Sequence, residues 1–387
     1  MATLVGPSPS ILDSPNNFAY RRCGQELHIL DSNTGHELSK HSDLWFQDGS
    51  VICQAETTLF KVHYSQLSRH SVLFRDVFTL PQPPRSRERG QLRVSEDIVE
   101  DCETCPLVVL QDKADDVGNF IAALYDGPNF GNNGREDFAI VSGILRLSTK
   151  FLVDSLREKA LAHLSIAWPS TLKGWDLRED VARSFEMQTS MNGGHFYPSP
   201  IAVINLAREV TAPSLLPAAF YDLCRYTFSQ IYEPSQDEPL YQPSDAPSLS
   251  SADMARLAIG KEAAQYAITT LIQSMGAAQT AQRQQGHFRK NSTGFICMSA
   301  AACRKDFSEL TQLATSHYLF DRERGQSDPL YVSEEIGQLK SAEFSECKAC
   351  ARSLESWASR ERSKIWAMIN VWFRLEQPVE VPPTTTS

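Results

Sequence analysis

Between Asp43 and Leu164 short strand-like runs and amphipathic helical spacings follow one another in a single order, and that order restricts the fold more than any other feature of the chain. The runs DLWF, SVICQA and TTLFKVH are short and rich in aromatic and β-branched residues, as strands are, and Asp48-Gly49 supplies a turn signal between the first two. In YSQLSRHSVLFRDVF, Leu67, Phe74 and Phe78 recur at helical spacings around Ser71, which predicts a helix pair. PQPPRSRERG reads as a polar loop and CPLVVL as a buried strand. DDVGNFIAALYD reads as an acid-capped helix burying Val117, Phe120, Ile121 and Leu124. Two more helical spacings follow, Phe138, Val141, Leu145 and then Leu152, Leu156, Ala160, Leu164, until Trp168-Pro169 ends the run. The predicted order is β-β-β-α-α-β-α-α-α.

Beyond Trp168 strand-like alternation nearly disappears. Ile201, Ile204, Arg208 and then Leu216, Phe220, Leu223, Phe228, Ile231 mark amphipathic helices separated at Pro213. DMARLAIGKEAAQYAITTLIQSM, the segment around Phe307, Leu310, Leu313 and Tyr318, and the stripe Phe344, Cys347, Ala351, Leu354, Ala358, Ile365, Ile369, Trp372 predict three or more further helices. The expected organisation is a flexible arm over 1–40 with a short strand near Leu27–Leu30, an α+β domain over 41–167 with a three-stranded sheet, and a helical extension over 168–232. A Pro/Ser-rich linker over 233–252, an α-helical region over 253–376 and a disordered tail over 377–387 complete it.

Composition narrows the function. At 387 residues the chain exceeds what one core usually needs, and 42% hydrophobic with 22% charged residues is the balance of a folded protein. A net charge of -10, from 47 acidic and 37 basic residues, repels a phosphate backbone, so nucleic acid is not an expected partner. No run of about 18 apolar residues occurs, so no membrane span is expected. Nine cysteines without a secretory leader point to a reducing, intracellular setting, cytoplasm or nucleus.

The text SDLWFQDGSVICQAETTLFKVHYSQLSRHSVLFRDVFTLPQP resembles the BTB/POZ domain, in particular its form in the fungal, basidiomycete-type BTB-domain proteins. The resemblance rests on a leading Asp43, the strand end Phe60-x-x-His63, the pair Leu67-Ser68, and Ser71-x-x-Phe74-Arg75, and it continues through AIVSGILRLSTKFLVDSLREKALAHL into SPIAVINLAREVTAPSLLPAAFYDLCRY. It implies a non-enzymatic adaptor or scaffold that homodimerises through its first strands and helices and holds protein clients, with Asp43, Leu44, His63 and Tyr64 as the dimer-interface candidates. It implies as an alternative a substrate receptor for a cullin-type ubiquitin ligase. Two departures bear on these roles: Tyr64 stands where many dimeric BTB domains have a basic residue, and the loop GPNFGNNGRED lacks the apolar-x-Glu element that helps cullin binding.

Cys347-x-x-Cys350 places two thiols one helical turn apart, and Cys297 with Cys303 can complete a tetrahedral, all-thiolate structural zinc site. On one regular helix Cys297 and Cys303 would point about 120° apart at roughly 100° per residue, so a shared metal requires a helix break between them. The competing reading makes these cysteines small core residues on a helical stripe. Cys102-x-x-Cys105 has no partner pair nearby. A DNA-reading finger is excluded at the carboxy-terminal pair, because the last histidine of the chain is His317.

Catalytic signatures are absent from the sequence: no Gly-x-Ser-x-Gly elbow, no His-Glu-x-x-His, and at Gly260-Lys261 neither the upstream glycine nor the following hydroxyl of a phosphate loop. A thiol enzyme using Cys347 or Cys350 is the remaining alternative, with Lys348, Arg352 and Arg360 as the nearby cations. The acids Asp176, Glu179 and Asp180 are expected to coat or cap a helix, and QTAQRQQGHFRKNS is expected to be a solvated linker.

Overall fold

The computed structural model describes residues 11–13, 18–23, 26–79, 105–189, 195–233, 240, 248–284, 300–319, 327–338 and 347–375. The chain divides into two compact units, 1–163 and 164–387.

The first unit carries the sheet. Strands β1 (Ile11–Asp13), β2 (Phe18–Cys23), β3 (Glu26–Asp31), β4 (Glu37–Trp45), β5 (Val51–Ala55), β6 (Thr58–Val62) and β7 (Leu107–Leu110) form seven strands in the order β1-β2-β3-β4-β6-β5-β7. The sheet is larger than the expected three strands and takes in residues of the expected flexible arm, where the short strand expected near Leu27–Leu30 is β3. Phe18 to Asp31 is an antiparallel hairpin, and β3 passes its edge on to β4 through Leu30↔Glu37 and Ile29↔Leu38. The β3–β4 turn is written locally: Asp31 Oδ1 accepts from Asn33 N at 2.8 Å, and Gly35 takes the left-handed φ of 70°.

The predicted strands DLWF, SVICQA, TTLFKVH and CPLVVL correspond to the end of β4, β5, β6 and β7. β4 does not pair with β5 across Asp48-Gly49; it runs parallel to β6, with a register shift between Lys40 and Trp45. β5 pairs antiparallel with β6 and parallel with β7. Gly49 is required at the turn, because a Cβ there would stand 2.8 Å from Lys61 Cγ and 3.0 Å from the Phe46 carbonyl oxygen.

Helices α1 (Tyr64–His70), α2 (Val72–Thr79), α3 (Ala114–Tyr125), α4 (Phe138–Lys150) and α5 (Asp154–Ala167) follow the predicted order. Ser71 separates α1 from α2: its hydroxyl donates to the Phe151 carbonyl at 2.6 Å and accepts from Phe74 N at 3.1 Å, so one buried side chain starts α2 and ties it to the end of α4. α3 has Lys113 at its N-cap with no capping bond of its own, and Glu56 from the β5–β6 turn accepts from Ala114 N at 2.9 Å instead. The core joins Val51, Phe60 and Val62 of the sheet to Phe74 of α2 and to Val117, Phe120, Ile121 and Leu124 of α3, the four residues predicted to face inward. Each such side chain contributes roughly 1.5–3 kcal/mol by leaving water.

The second unit contains helices α6 (Leu172–Thr189), α7 (Pro200–Glu209), α8 (Leu216–Cys224), α9 (Phe228–Tyr232), α10 (Ser251–Gln284), α11 (Ala300–Ala314), α12 (Pro329–Gln338) and α13 (Lys348–Trp372), and no strand among the described residues. Pro213 opens a single 3-10 turn between α7 and α8, as its missing donor and fixed φ favour. Thr227 starts α9 with a reciprocal capping box to Gln230. α10 runs on to Gln284, into the stretch expected to be linker, since Gln, Ala and Arg are good helix formers. Within the expected linker Leu240 and Leu249 are buried. On α13 the buried positions are Cys350, Leu354, Trp357, Ala358, Ile365 and Ile369, and Phe373 just beyond its end, with Cys347 and Ala351 partly buried against the same core; the stripe thus widens to take in Cys350 and ends on Phe373 in place of Trp372, while Phe344 lies outside the described residues. No helix is long and apolar enough to cross a membrane among the described residues.

Candidate functional site

Three places collect the chemistry-bearing side chains. The first is the surface of the amino-terminal unit, where the four interface candidates lie. Asp43 is exposed on β4 and accepts from the Ser42 hydroxyl at 2.9 Å. Leu44 turns the other way, into the core, at 5% exposure. His63 is half-buried at the start of α1, its backbone N and Nδ1 both 2.9 Å from the Tyr125 hydroxyl and its Nε2 3.2 Å from Asp48 Oδ1. Asp48 is held below its ordinary range chiefly by that contact with His63, and burial pushes the Tyr125 phenol up. His63 therefore meets Asp48 and Tyr125, not Asp43.

Tyr64 is 49% exposed and meets the edge of Phe78 at 5.5 Å between ring centroids. On α2 the apolar Val72, Leu73 and Val77 are also exposed. The hydrophobic spacing of α2 has more apolar positions than its own core consumes, since only Phe74 of that helix is buried. Exposed apolar groups clustered on one helix pair mark an interaction surface more often than scattered ones do.

The second place is the cysteine cluster of the helical unit. The structure brings Cys303, at the start of α11, together with Cys347 and Cys350, at the start of α13, their sulfurs all within 4.8 Å of one another. These three could hold a metal ion. Cys297 lies outside the described residues. Of the second tight pair, Cys102 also lies outside them, and Cys105 is a buried residue whose thiol donates to the Gly49 carbonyl at 3.5 Å. Cys53 and Cys224 are each alone in the core, where burial pushes both thiols up to about 12.

The third place escaped sequence reasoning. Arg178 of α6 is buried between the rings of Trp168, Trp175 and Tyr197, 4.4–4.7 Å from their centroids. It donates to Glu179 Oε1 at 2.7 Å and to Asp222 Oδ2 at 2.6 Å. Arg225 donates to Glu179 Oε2 at 2.8 Å and to Asp222 Oδ1, and lies 3.5 Å from Asp328 Oδ2. Burial works against the Arg225 charge, but Asp222, Glu179 and Asp328 together hold its pKa well above the usual value. Tyr221 donates to Asp328 Oδ1 at 2.6 Å, and burial, then the Asp328 charge, drives its phenol well above the ordinary range. A cleft of about 600 Å³ opens beside this network, lined by Glu186, His195, Phe196, Tyr226 and Gln230.

Of the acids expected to coat a helix, Asp180 is exposed, Asp176 pairs with Arg362 at 2.6 Å, and Glu179 belongs to the buried network. The signal for the network lay in LLPAAFYDLC, where a single carboxylate, Asp222, interrupts an apolar run: such a group is almost never fully buried unless paired. Gly260-Lys261 also finds its role. Gly260 leaves room for the Phe373 ring, and the Lys261 ammonium donates to the carbonyls of Cys224, at 2.7 Å, and Tyr226, closing the C-terminus of α8.

No family model matches this chain, and no curated protein matches it.

Proposed function

We propose that this chain is a BTB/POZ-type adaptor that self-associates through its amino-terminal unit and uses its helical unit to hold a protein client. The observation that carries the reading is the exposure of the apolar Tyr64, Val72, Leu73 and Val77 along the α1–α2 pair. The order of elements around it supports the class: an antiparallel β5–β6 hairpin, a helix pair, a parallel β7, then α3 and the α4–α5 pair. Fold-level likeness alone does not define a function, so the weight rests on the exposed face.

Self-association is tested by light scattering on the full chain at micromolar concentration. A mass of two chains is expected, falling to one chain in Val72→Glu/Val77→Glu with the melting temperature preserved. A wild-type monomer, or a dimer indifferent to both substitutions, would overturn the reading.

We also propose structural zinc as the ion for the cysteine cluster. Zinc is borderline-soft, accepts thiolates readily and imposes little geometric preference of its own. Elemental analysis of protein purified without chelator should give close to one zinc per chain; its absence refutes the assignment.

A further inference from the structure

The ion's identity leaves open what the centre does. Cys347 is the N-cap of α13 and Cys350 lies in its first turn, while Cys303 is the fourth residue of α11. The positive ends of two helices therefore bear on one group of three sulfurs. Neither helix has an acidic residue in its first turn, and Cys347 makes no side-chain capping bond to α13. The N–H groups at a helix start favour a negative charge nearby.

The surroundings point the same way. Cys303 and Cys350 are buried at 2% and 7% exposure, among Phe307, Val332, Ile336 and Leu354. Small core residues chosen for volume would scatter, as Cys53, Cys105 and Cys224 do. Here segments more than forty residues apart bring three sulfurs within 4.8 Å of one another. At a zinc–sulfur distance of about 2.3 Å the sulfurs of a tetrahedral site stand roughly 3.8 Å apart, which side-chain rotation within the cluster supplies.

Building on the zinc reading, we propose that Cys303, Cys347 and Cys350 bind one zinc ion as three thiolates, and that this centre clamps the first turn of α11 to that of α13 and holds the helical unit folded. Binding converts three thiols to thiolates and releases three protons. The ion's two positive charges leave the trio with one net negative charge, which faces the two helix N-termini. An ion bound only by the folded unit favours it by the factor 1 + [L]/Kd, about 100-fold at a hundred times Kd, or about 2.7 kcal/mol. For a unit of this size that is a rise in melting temperature of roughly 5–11 °C.

The test uses the full chain, stripped with a chelator and reloaded with zinc, with zinc counted by elemental analysis and melting followed by tryptophan fluorescence. One zinc per chain and a melting temperature that falls on stripping and returns on reloading are expected, with Cys303→Ser binding at least tenfold more weakly. If no zinc binds, both the zinc reading and the clamp fail. If zinc binds but melting is unchanged, the clamp alone fails. Undiminished zinc affinity in Cys303→Ser overturns the three-thiolate centre. Should that variant not fold, cobalt substituted into the wild type decides: thiolate-to-cobalt absorption accounting for fewer than three sulfurs overturns the centre.

Discussion

Replacing Asp222 by Asn tests whether the helical unit depends on its buried ion network. Asp222, 3% exposed, accepts through one oxygen from Arg178 and through the other from Arg225. An asparagine keeps the shape but turns one acceptor into an NH2 group, so a donor then faces a guanidinium donor. One charge-assisted bond worth about 1.5–3 kcal/mol is lost, and the arginine left facing a donor retains part of its desolvation penalty. Removing a partner from a buried ion pair costs about 3–5 kcal/mol when nothing else compensates. Here Glu179 still bonds both arginines, so the expected loss is about 3 kcal/mol, at the lower end of that range. Urea unfolding at neutral pH is the assay, with fluorescence as probe because Trp175 packs against both guanidiniums. The midpoint should fall with the denaturant slope unchanged. A double-mutant cycle with Arg178→Met isolates the pair, and coupling of at least about 1.5 kcal/mol is expected. A loss below about 1 kcal/mol, or no coupling, would refute the argument.

At Gly260 an added methyl would enter the space of the Phe373 ring, which is fully buried and stacked on Phe220 at 5.3 Å; Gly260→Ala should destabilise the helical unit by roughly 1–3 kcal/mol, with part recovered in Gly260→Ala/Phe373→Leu by the same urea assay. Lys261→Met strips the donor from two carbonyls at the end of α8, and a loss of roughly 1–3 kcal/mol is expected in thermal melts. Burial raises the Asp253 carboxyl, but its paired bonds from Arg208 and those from Ser250 and Arg256 outweigh that and set it below 3.8 in the folded chain. Its stabilisation is therefore present above the unfolded carboxylate value and is lost as pH falls through the lower folded one, so the stability gap between wild type and Asp253→Asn should begin to narrow as pH falls below about 3.8. Equal separation of the two at pH 7 and pH 3 would contradict that assignment.

Elements whose side chains face one core were legible in the sequence. Val117, Phe120, Ile121 and Leu124 sit at helical spacing, and all four are buried. The helix break at Ser71 was legible as well. Pairing was not, because local periodicity says nothing about which strand lies alongside: β4 precedes β5 but pairs with β6. β3 was legible as the short strand near Leu27–Leu30, whereas β1 and β2 were hidden by the prolines and asparagines near them; DSNTG, with its Asp-to-Asn turn bond and left-handed glycine, is a hairpin signal for the turn after β3. Cys347 and Cys350 were visible as a pair, while their approach to Cys303 depends on how α11 and α13 pack. Arg178, Asp222 and Arg225 were read past because charged residues are usually solvated, and the apolar run around Asp222 was the one local clue against that prior.

Each of the two units has its own internal ties, and on the proposed adaptor reading these bear on what each can do. In the amino-terminal unit the ties between elements are neutral bonds at the margins of an apolar core, such as Ser71 to Phe151 and Tyr125 to His63, together with partly exposed ion pairs such as Arg146 to Asp116 and Lys150 to Asp112. Such a core is specified mainly by volume and pattern, so its exposed face at Tyr64, Val72, Leu73 and Val77 can diverge without disturbing the fold. Helices packed by apolar contact alone have neighbouring registers of similar energy, and the helical unit removes that freedom. Arg178 fixes α6 against α8 through Asp222, Lys261 fixes α10 to the end of α8, and Asp328 fixes the start of α12 to Tyr221 and Arg225. Buried ionic groups contribute little net stability over apolar packing, but they penalise every arrangement that leaves a charge unpaired. On the proposed reading, a client-holding surface built on these helices has one geometry to present, which is the property recognition requires of it.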